Sequence, residues 1–192
     1  MAPLKRILLI VAGGIAVTGG DAVVVRAGGG TVLIDGLTLN VPGAGAPPPG
    51  SRGIVFESAD LLALRRVTVQ GFADGVLHAP VTPGWLTVDR SQLRGNGNGY
   101  RFVDPVVYAP GWWARFADSD LSRNGTAVEA AGRVQVELRE ARLAGNARGV
   151  AAGGGLLPQP GSADIVLWRR VLGDTAAGVA APGTPSNPAR IN

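Results

Sequence analysis

The sequence has no cysteine, which excludes a disulfide framework, thiolate zinc centres and a cysteine nucleophile. Its one histidine, His78, rules out a metal site built from several imidazoles. Its one lysine, Lys5, leaves no phosphate loop of the Lys-Ser/Thr type. Charged residues make up only 17% of the 192, too few for a charged coiled coil or a disordered acidic or basic tail. The net charge of +4 comes from arginines that stand singly among acids, with no block of five like charges. That pattern reads as compositional bias rather than as a nucleic-acid stripe. What is abundant is glycine (30) and proline (14), in a chain that is 46% hydrophobic. Such a chain has the apolar material for one packed domain with many turns.

The N-terminus supports two readings. Lys5-Arg6 followed by Ile7 to Val17 has the basic and apolar regions of a secretory signal, which would place the protein outside the cytoplasm. The run is broken by Gly13-Gly14, is too short to span a bilayer and lacks an Ala-x-Ala site. The favoured reading is three short buried strands, Ile7–Val11, Ile15–Val17 and Val23–Val25, which leaves a cytoplasmic location open.

A repeat organises the rest. Leu62–Phe72, Leu86–Asn96, Ala114–Asn124, Val136–Asn146 and the shorter Ile165–Asp174 share one pattern, with an earlier copy at Val32–Leu39. The earlier copy is followed by a Pro/Gly-rich insertion at 42–52. Each repeat ends in a short burst, beginning at Gly53, Gly75, Gly99, Thr126, Gly149 and Gly178. Asn96, Asn124 and Asn146 recur at spacings of 28 and 22. The segments alternate with period 2 and break at Gly or Asn, which is strand chemistry. Between 22 and 28 residues suffice for three short strands and their turns, one coil of a parallel β-solenoid.

Stacked coils predict columns of like residues about 4.8 Å apart. The inward columns are Leu62, Leu86, Ala114, Val136; then Ile34, Leu64, Val88, Phe116, Leu138; then Leu39, Val69, Leu93, Leu121, Leu143; and Ile54, Val76, Tyr100, Val128, Val150, Val179. All are apolar, whereas the outward columns put opposite charges side by side: Asp35, Arg65, Asp89; Arg115 with Glu137; Asp120 with Arg142; Arg101 with Glu129. A register slip of one residue would exchange the faces and destroy both patterns. Asn96, Asn124 and Asn146 form a structural ladder, with amides that tolerate left-handed turns and bond the coils on either side.

The Gly-x-Asn turns, the Gly-Ile/Val bursts and the segment Ala27–Asn40 resemble the right-handed parallel β-helix repeats of the pectin-lyase-like superfamily, and more narrowly its uncharacterised bacterial members. The resemblance covers residues 15–181. It implies an all-β, right-handed parallel β-helix of about six to eight coils. The expected organisation is a single domain over 1–181 and a flexible tail at 182–192, in which residues 1–20 are signal-like, truncated or a first coil. Open coil ends expose unpaired backbone, so self-association through them is a further expectation.

Two sets of residues are candidates for function. Trp85 and Trp113 share a position with Leu61, facing outward with Trp112 beside them. Such a column serves as a sugar-stacking platform or an oligomer contact, or else folds over the coil edge. The other set is Asp118 and Asp120 with Arg90 and Arg142. If one strand runs through both aspartates, they share an outer face with Asp89 and Glu140. There they would act as an acid/base pair on a sugar chain or hold Ca²⁺. The resemblance implies lyases that use Ca²⁺ and an Arg base, but the sequence lacks Arg-x-Pro-x-x-Arg, Gly-His-Gly and Asn-Thr-Asp. His78 falls in the column Phe56, His78, Phe102, Ala130 and reads as a core histidine rather than a base. The expected function is a non-enzymatic scaffold, without cofactor, that binds a glycan or a protein but no nucleic acid. The alternative is a polysaccharide lyase or glycoside hydrolase.

Overall fold

A computed structural model describes residues 6–43, 45–103, 112–153, 164–168, 172–174, 177–180 and 190–191. Among them there are twenty strands and no helix. The first three strands are β1 (Arg6–Ala16), β2 (Asp21–Arg26) and β3 (Gly30–Asn40). Then the chain repeats in triplets: β4 (Arg52–Ser58), β5 (Leu61–Arg65) and β6 (Thr68–Gln70); β7 (Asp74–His78), β8 (Trp85–Asp89) and β9 (Gln92–Arg94); β10 (Asn98–Val103), β11 (Trp112–Ala117) and β12 (Asp120–Ser122). They continue as β13 (Thr126–Ala131), β14 (Val134–Arg139) and β15 (Arg142–Ala144); β16 (Arg148–Gly153), β17 (Asp164–Trp168) and β18 (Leu172–Asp174); and end at β19 (Ala177–Ala180) and β20 (Arg190–Ile191).

Among the described residues all strand pairings are parallel, each strand with its equivalent one turn away. The product is a parallel β-solenoid of about six turns. One sheet has seven strands, from β2 to β19. The other has thirteen and bends, because β3 runs unbroken across a corner and pairs with both β5 and β6. We call its two halves the wide face (β5, β8, β11, β14, β17) and the narrow face (β6, β9, β12, β15, β18).

The inward columns agree with the periodicity. Leu62 pairs with Leu86, Leu86 with Ala114 and Ala114 with Val136, and all four are buried. Ile54, Val76, Tyr100, Val128 and Val150 likewise stack in register at the core. The N-terminal expectation needs correction: Ile7–Val11 and Ile15–Val17 are not separate strands. β1 is continuous and bends at Ala12, whose φ of +48° matches Gly36 at the same corner of the next turn. The insertion at 42–52 ends one residue early, since Arg52 opens β4; Ser51 anchors it by donating to the Pro48 carbonyl at 2.6 Å. Residues 182–189 of the expected tail lie outside the described residues, while Arg190–Ile191 pair with β17.

The two corners of the bent sheet are left-handed. At the first, Arg66, Arg90, Asp118 and Glu140 all have φ near +50°. A non-glycine residue there costs about 1–2 kcal/mol. Two serines that periodicity does not single out offset part of that cost. Ser91 Oγ donates to the Asp89 carbonyl at 2.9 Å and accepts from the Val67 N–H at 3.1 Å. Ser119 repeats both bonds, to the Ala117 carbonyl at 2.7 Å and from the Ser91 N–H at 3.2 Å.

At the second corner the left-handed residues are Gly71, Gly95, Arg123 and Gly145, so the asparagines one position later are not left-handed, contrary to expectation. Asn96, Asn124 and Asn146 instead turn inward and are buried. Each side chain reaches backwards, and Asn96 Nδ2 also bonds forwards to Asn124 Oδ1 at 3.2 Å. Oδ1 accepts the equivalent N–H of the preceding turn, and Nδ2 donates to a carbonyl there.

Close stacking also fixes some glycines. A Cβ on Gly75 would lie 2.7 Å from the Gly99 carbonyl oxygen and 2.9 Å from Asn96 Nδ2. Overpacking of this kind costs about 1–3 kcal/mol. Gly75→Ala should therefore lower the urea midpoint by an amount corresponding to that loss. Gly14→Ala, with nothing within 4 Å, should leave it within about 0.5 kcal/mol.

Candidate functional site

Trp85 opens β8, Trp113 is the second residue of β11, and the two pair directly in register on the wide face. They are 54% and 37% exposed, and their rings stack at 5.3 Å with only 7° between planes. Leu61 precedes them in the same column and Gln135 follows. The stack leaves the indole edges facing solvent. Beside it lie Thr87, Arg115 and Glu137 in the next outward column, with Arg115 Nε 3.7 Å from Glu137.

Trp112 does not belong to this surface. Successive strand residues point to opposite faces, so of adjacent Trp112 and Trp113 only one can face out. Trp112 is 1% exposed, donates from Nε1 to the Thr82 carbonyl at 3.2 Å and lies under the Arg133 guanidinium. The Trp-Trp dipeptide in a strand was itself the signal for this split. The side chain of the fourth tryptophan, Trp168, lies outside the described residues.

The acidic candidates are separated by the first corner. The strand expected to carry both aspartates breaks at Asp118, whose φ is +49°. Asp118 is exposed in the corner column with Glu140, whereas Asp89 lies in register with Ala117 on the wide face. Arg90 pairs with Asp89 at 3.1 Å rather than with Asp118. Asp120 lies on the narrow face, opposite Gln92 and Arg142. Its carboxylate is held by Arg94 at 2.9 Å, more closely than by the expected Arg142 at 3.8 Å. Both are surface pairs, worth about 0.2–1 kcal/mol. Among the described residues no three acidic or imidazole groups converge as a metal would require. The four residues thus form charge ladders on two sides of a corner and line no common cleft.

Other outward charges follow the columns with one shift. Arg101 meets Glu129 at 3.6 Å as expected and also Asp74 at 3.6 Å. Asp35 is bound at 2.6 Å by Arg66 rather than by its register partner Arg65, because the left-handed corner swings Arg66 back over the lower turn.

His78 is fully buried in its predicted column, stacked on Phe56 at 4.7 Å and edge-on to Phe102 at 5.1 Å. Its Nδ1 lies 3.0 Å from the Tyr100 hydroxyl. With the ring hydrogen on Nε2 the hydroxyl donates to Nδ1, and with it on Nδ1 the ring donates to the hydroxyl oxygen. Nε2 has no polar partner, and burial pushes the imidazole pKa down to about 3. Burial likewise raises the Tyr100 phenol. A ring that stays neutral and sealed from solvent is a core element, not a general base.

Among the described residues no helix is long and apolar enough to cross a membrane. No protein-family model matches the chain, and neither a curated protein nor a solved structure matches it.

Proposed function

We propose that this protein is a non-catalytic binding solenoid whose partner, a glycan or another protein, lies along the wide face and is anchored by Trp85 and Trp113. The observation that carries this reading is the exposed, in-register indole stack. Large apolar rings held rigidly in solvent cost hydration free energy in the free protein, and a partner recovers it. Their planes face one another, so a ligand meets ring edges rather than the faces turned to each other. That favours a partner laid across the turns over a single stacked sugar. The rigid backbone beneath limits the entropy lost on binding.

The same proposal takes the winding as right-handed, as parallel crossover connections are in about 98% of cases. It takes the chain as a relative of the pectin-lyase-like β-helices, a bacterial protein by the same resemblance. A lyase or hydrolase would need Asp118 and Asp120 on one face, and the corner between them argues against that chemistry.

The test uses immobilised acidic and neutral polysaccharides. Trp85→Ala and Trp113→Ala should each weaken retention at least about tenfold, the range of an aromatic hot spot, with an unchanged β-type circular dichroism spectrum. Retention unaltered in both variants would sink the proposal.

A further inference from the structure

We propose that the narrow face carries a site for a phosphate group, formed by Arg94, Arg123 and Arg142. Arg123 is the residue that points to it. At the second corner it takes the left-handed conformation, with a φ of +57°, where Gly71, Gly95 and Gly145 serve the other described turns. A side chain is strained in that conformation, and such strain persists where something else selects the residue. Nothing within the described residues does so: Arg123 is exposed and makes no ion pair among them. The left-handed arginines of the first corner differ in this respect. Arg66 meets Asp35 at 2.6 Å, and Arg90 meets Asp89 at 3.1 Å.

Two more arginines converge on the same place. Arg94 pairs in register with Ser122, the residue before Arg123, and Arg142 pairs with Asp120. Both guanidiniums meet one oxygen of Asp120, Oδ2, at 2.9 Å from Arg94 and 3.8 Å from Arg142. A single carboxylate thus draws them together from the turns on either side. Arg123 leans towards the turn of Arg142, since a Cβ on Gly145 would lie 3.7 Å from its Cγ. Between the three lie only the small side chains of Ser122 and Ala144, on turns about 4.8 Å apart. All three arginines can therefore reach one small ion. Three bases against one acid leave two positive charges in excess. A phosphate monoester carries about −1.5 to −2 at pH 7 and presents three oxygens, one to each planar guanidinium. A carboxylate has half the charge and one oxygen fewer. A free phosphate ion shares the chemistry of the ester.

Isothermal titration calorimetry of the whole chain with inorganic phosphate, glycerol phosphate and acetate, at equal low ionic strength, tests this. Phosphate should bind with a dissociation constant of about 1 mM or lower, and acetate at least about tenfold more weakly. Tighter binding of glycerol phosphate than of the free ion assigns an ester as the ligand, and the reverse order assigns the ion itself. Arg123→Gly supplies the residue that the other described turns use, so it should keep the circular dichroism spectrum and the urea midpoint. The same variant should raise the dissociation constant for phosphate at least about tenfold. Arg142→Gln should raise it likewise. Arg139→Gln, which removes an exposed arginine of the wide face, and Trp85→Ala should both leave it unchanged. No measurable binding of phosphate, unaltered affinity in Arg123→Gly, or an equal loss in Arg139→Gln would each overturn the proposal.

Discussion

Lowering the pH from 7 to 5 is expected to reduce the unfolding free energy by about 2 kcal/mol, and the double variant His78→Phe/Tyr100→Phe is expected to remove that loss. The buried imidazole has its pKa depressed to about 3, against an ordinary value of 6.5. It is therefore neutral in the folded chain and takes up a proton in the unfolded one. The stability it contributes is complete above pH 6.5 and falls by about 1.4 kcal/mol per pH unit until the folded imidazole charges near pH 3. His78 is the only histidine, so no other imidazole titrates in this window. Glu57, held below the usual carboxylate range by Arg26, loses its contribution only under pH 4.5 and as pH falls through its depressed value. Thermal melts at pH 7, 6 and 5 should show a fall of about 4–8 °C for a chain of this size. The double variant replaces both members of the polar pair, so neither is stranded, and Phe already flanks His78 in the column. A flat profile for the natural sequence between pH 7 and 5 would refute the buried neutral state.

Asn124→Leu should be the most damaging single change in the ladder, costing about 3–5 kcal/mol. Asn124 Oδ1 accepts from the Asn96 N–H at 2.9 Å and from Asn96 Nδ2 at 3.2 Å, and its Nδ2 donates to the Leu93 carbonyl at 2.9 Å. Leucine takes the partner from the buried Asn96 N–H and from one lone pair of the Leu93 carbonyl, each at about 1–3 kcal/mol, while Asn96 Nδ2 keeps the Val69 carbonyl. Asn98→Ala is the matched control. Asn98 is only partly buried and makes one side-chain bond, to Asp74 at 2.8 Å. It should cost about 1 kcal/mol or less. Urea titration reads both. A lowered midpoint at unchanged slope is expected for Asn124→Leu. Equal midpoints for the two variants would mean that the ladder adds nothing beyond an ordinary surface hydrogen bond.

The sequence made the stacking legible because two independent periods coincide. Alternation within Leu62–Leu64 or Leu86–Val88 sets a face, and recurrence at 22 to 28 residues sets a register; only a parallel coil satisfies both. The corners were harder to read. Arg66, Arg90, Asp118 and Glu140 are poor left-handed residues by intrinsic preference, so nothing local announces them. They are held by bonds from neighbouring turns, including those of Ser91 and Ser119, and those contacts are non-local. The misplaced acidic site follows from the same gap. Without the corner, Asp118 and Asp120 look like outward neighbours on one strand. The outward position of Trp85 and Trp113 was legible from the column, whereas their mutual stacking depends on rotamers that no pattern encodes.

The backward reach of the asparagines gives the molecule a direction of completion. The Phe72 N–H and the Val69 carbonyl receive their partners only when Asn96 arrives one turn later, and Asn96 waits in turn for Asn124. A chain emerging N-terminus first would lay down each turn unfinished and latch it with the next. The growing end is always the loosest, and every added turn tightens the one behind it.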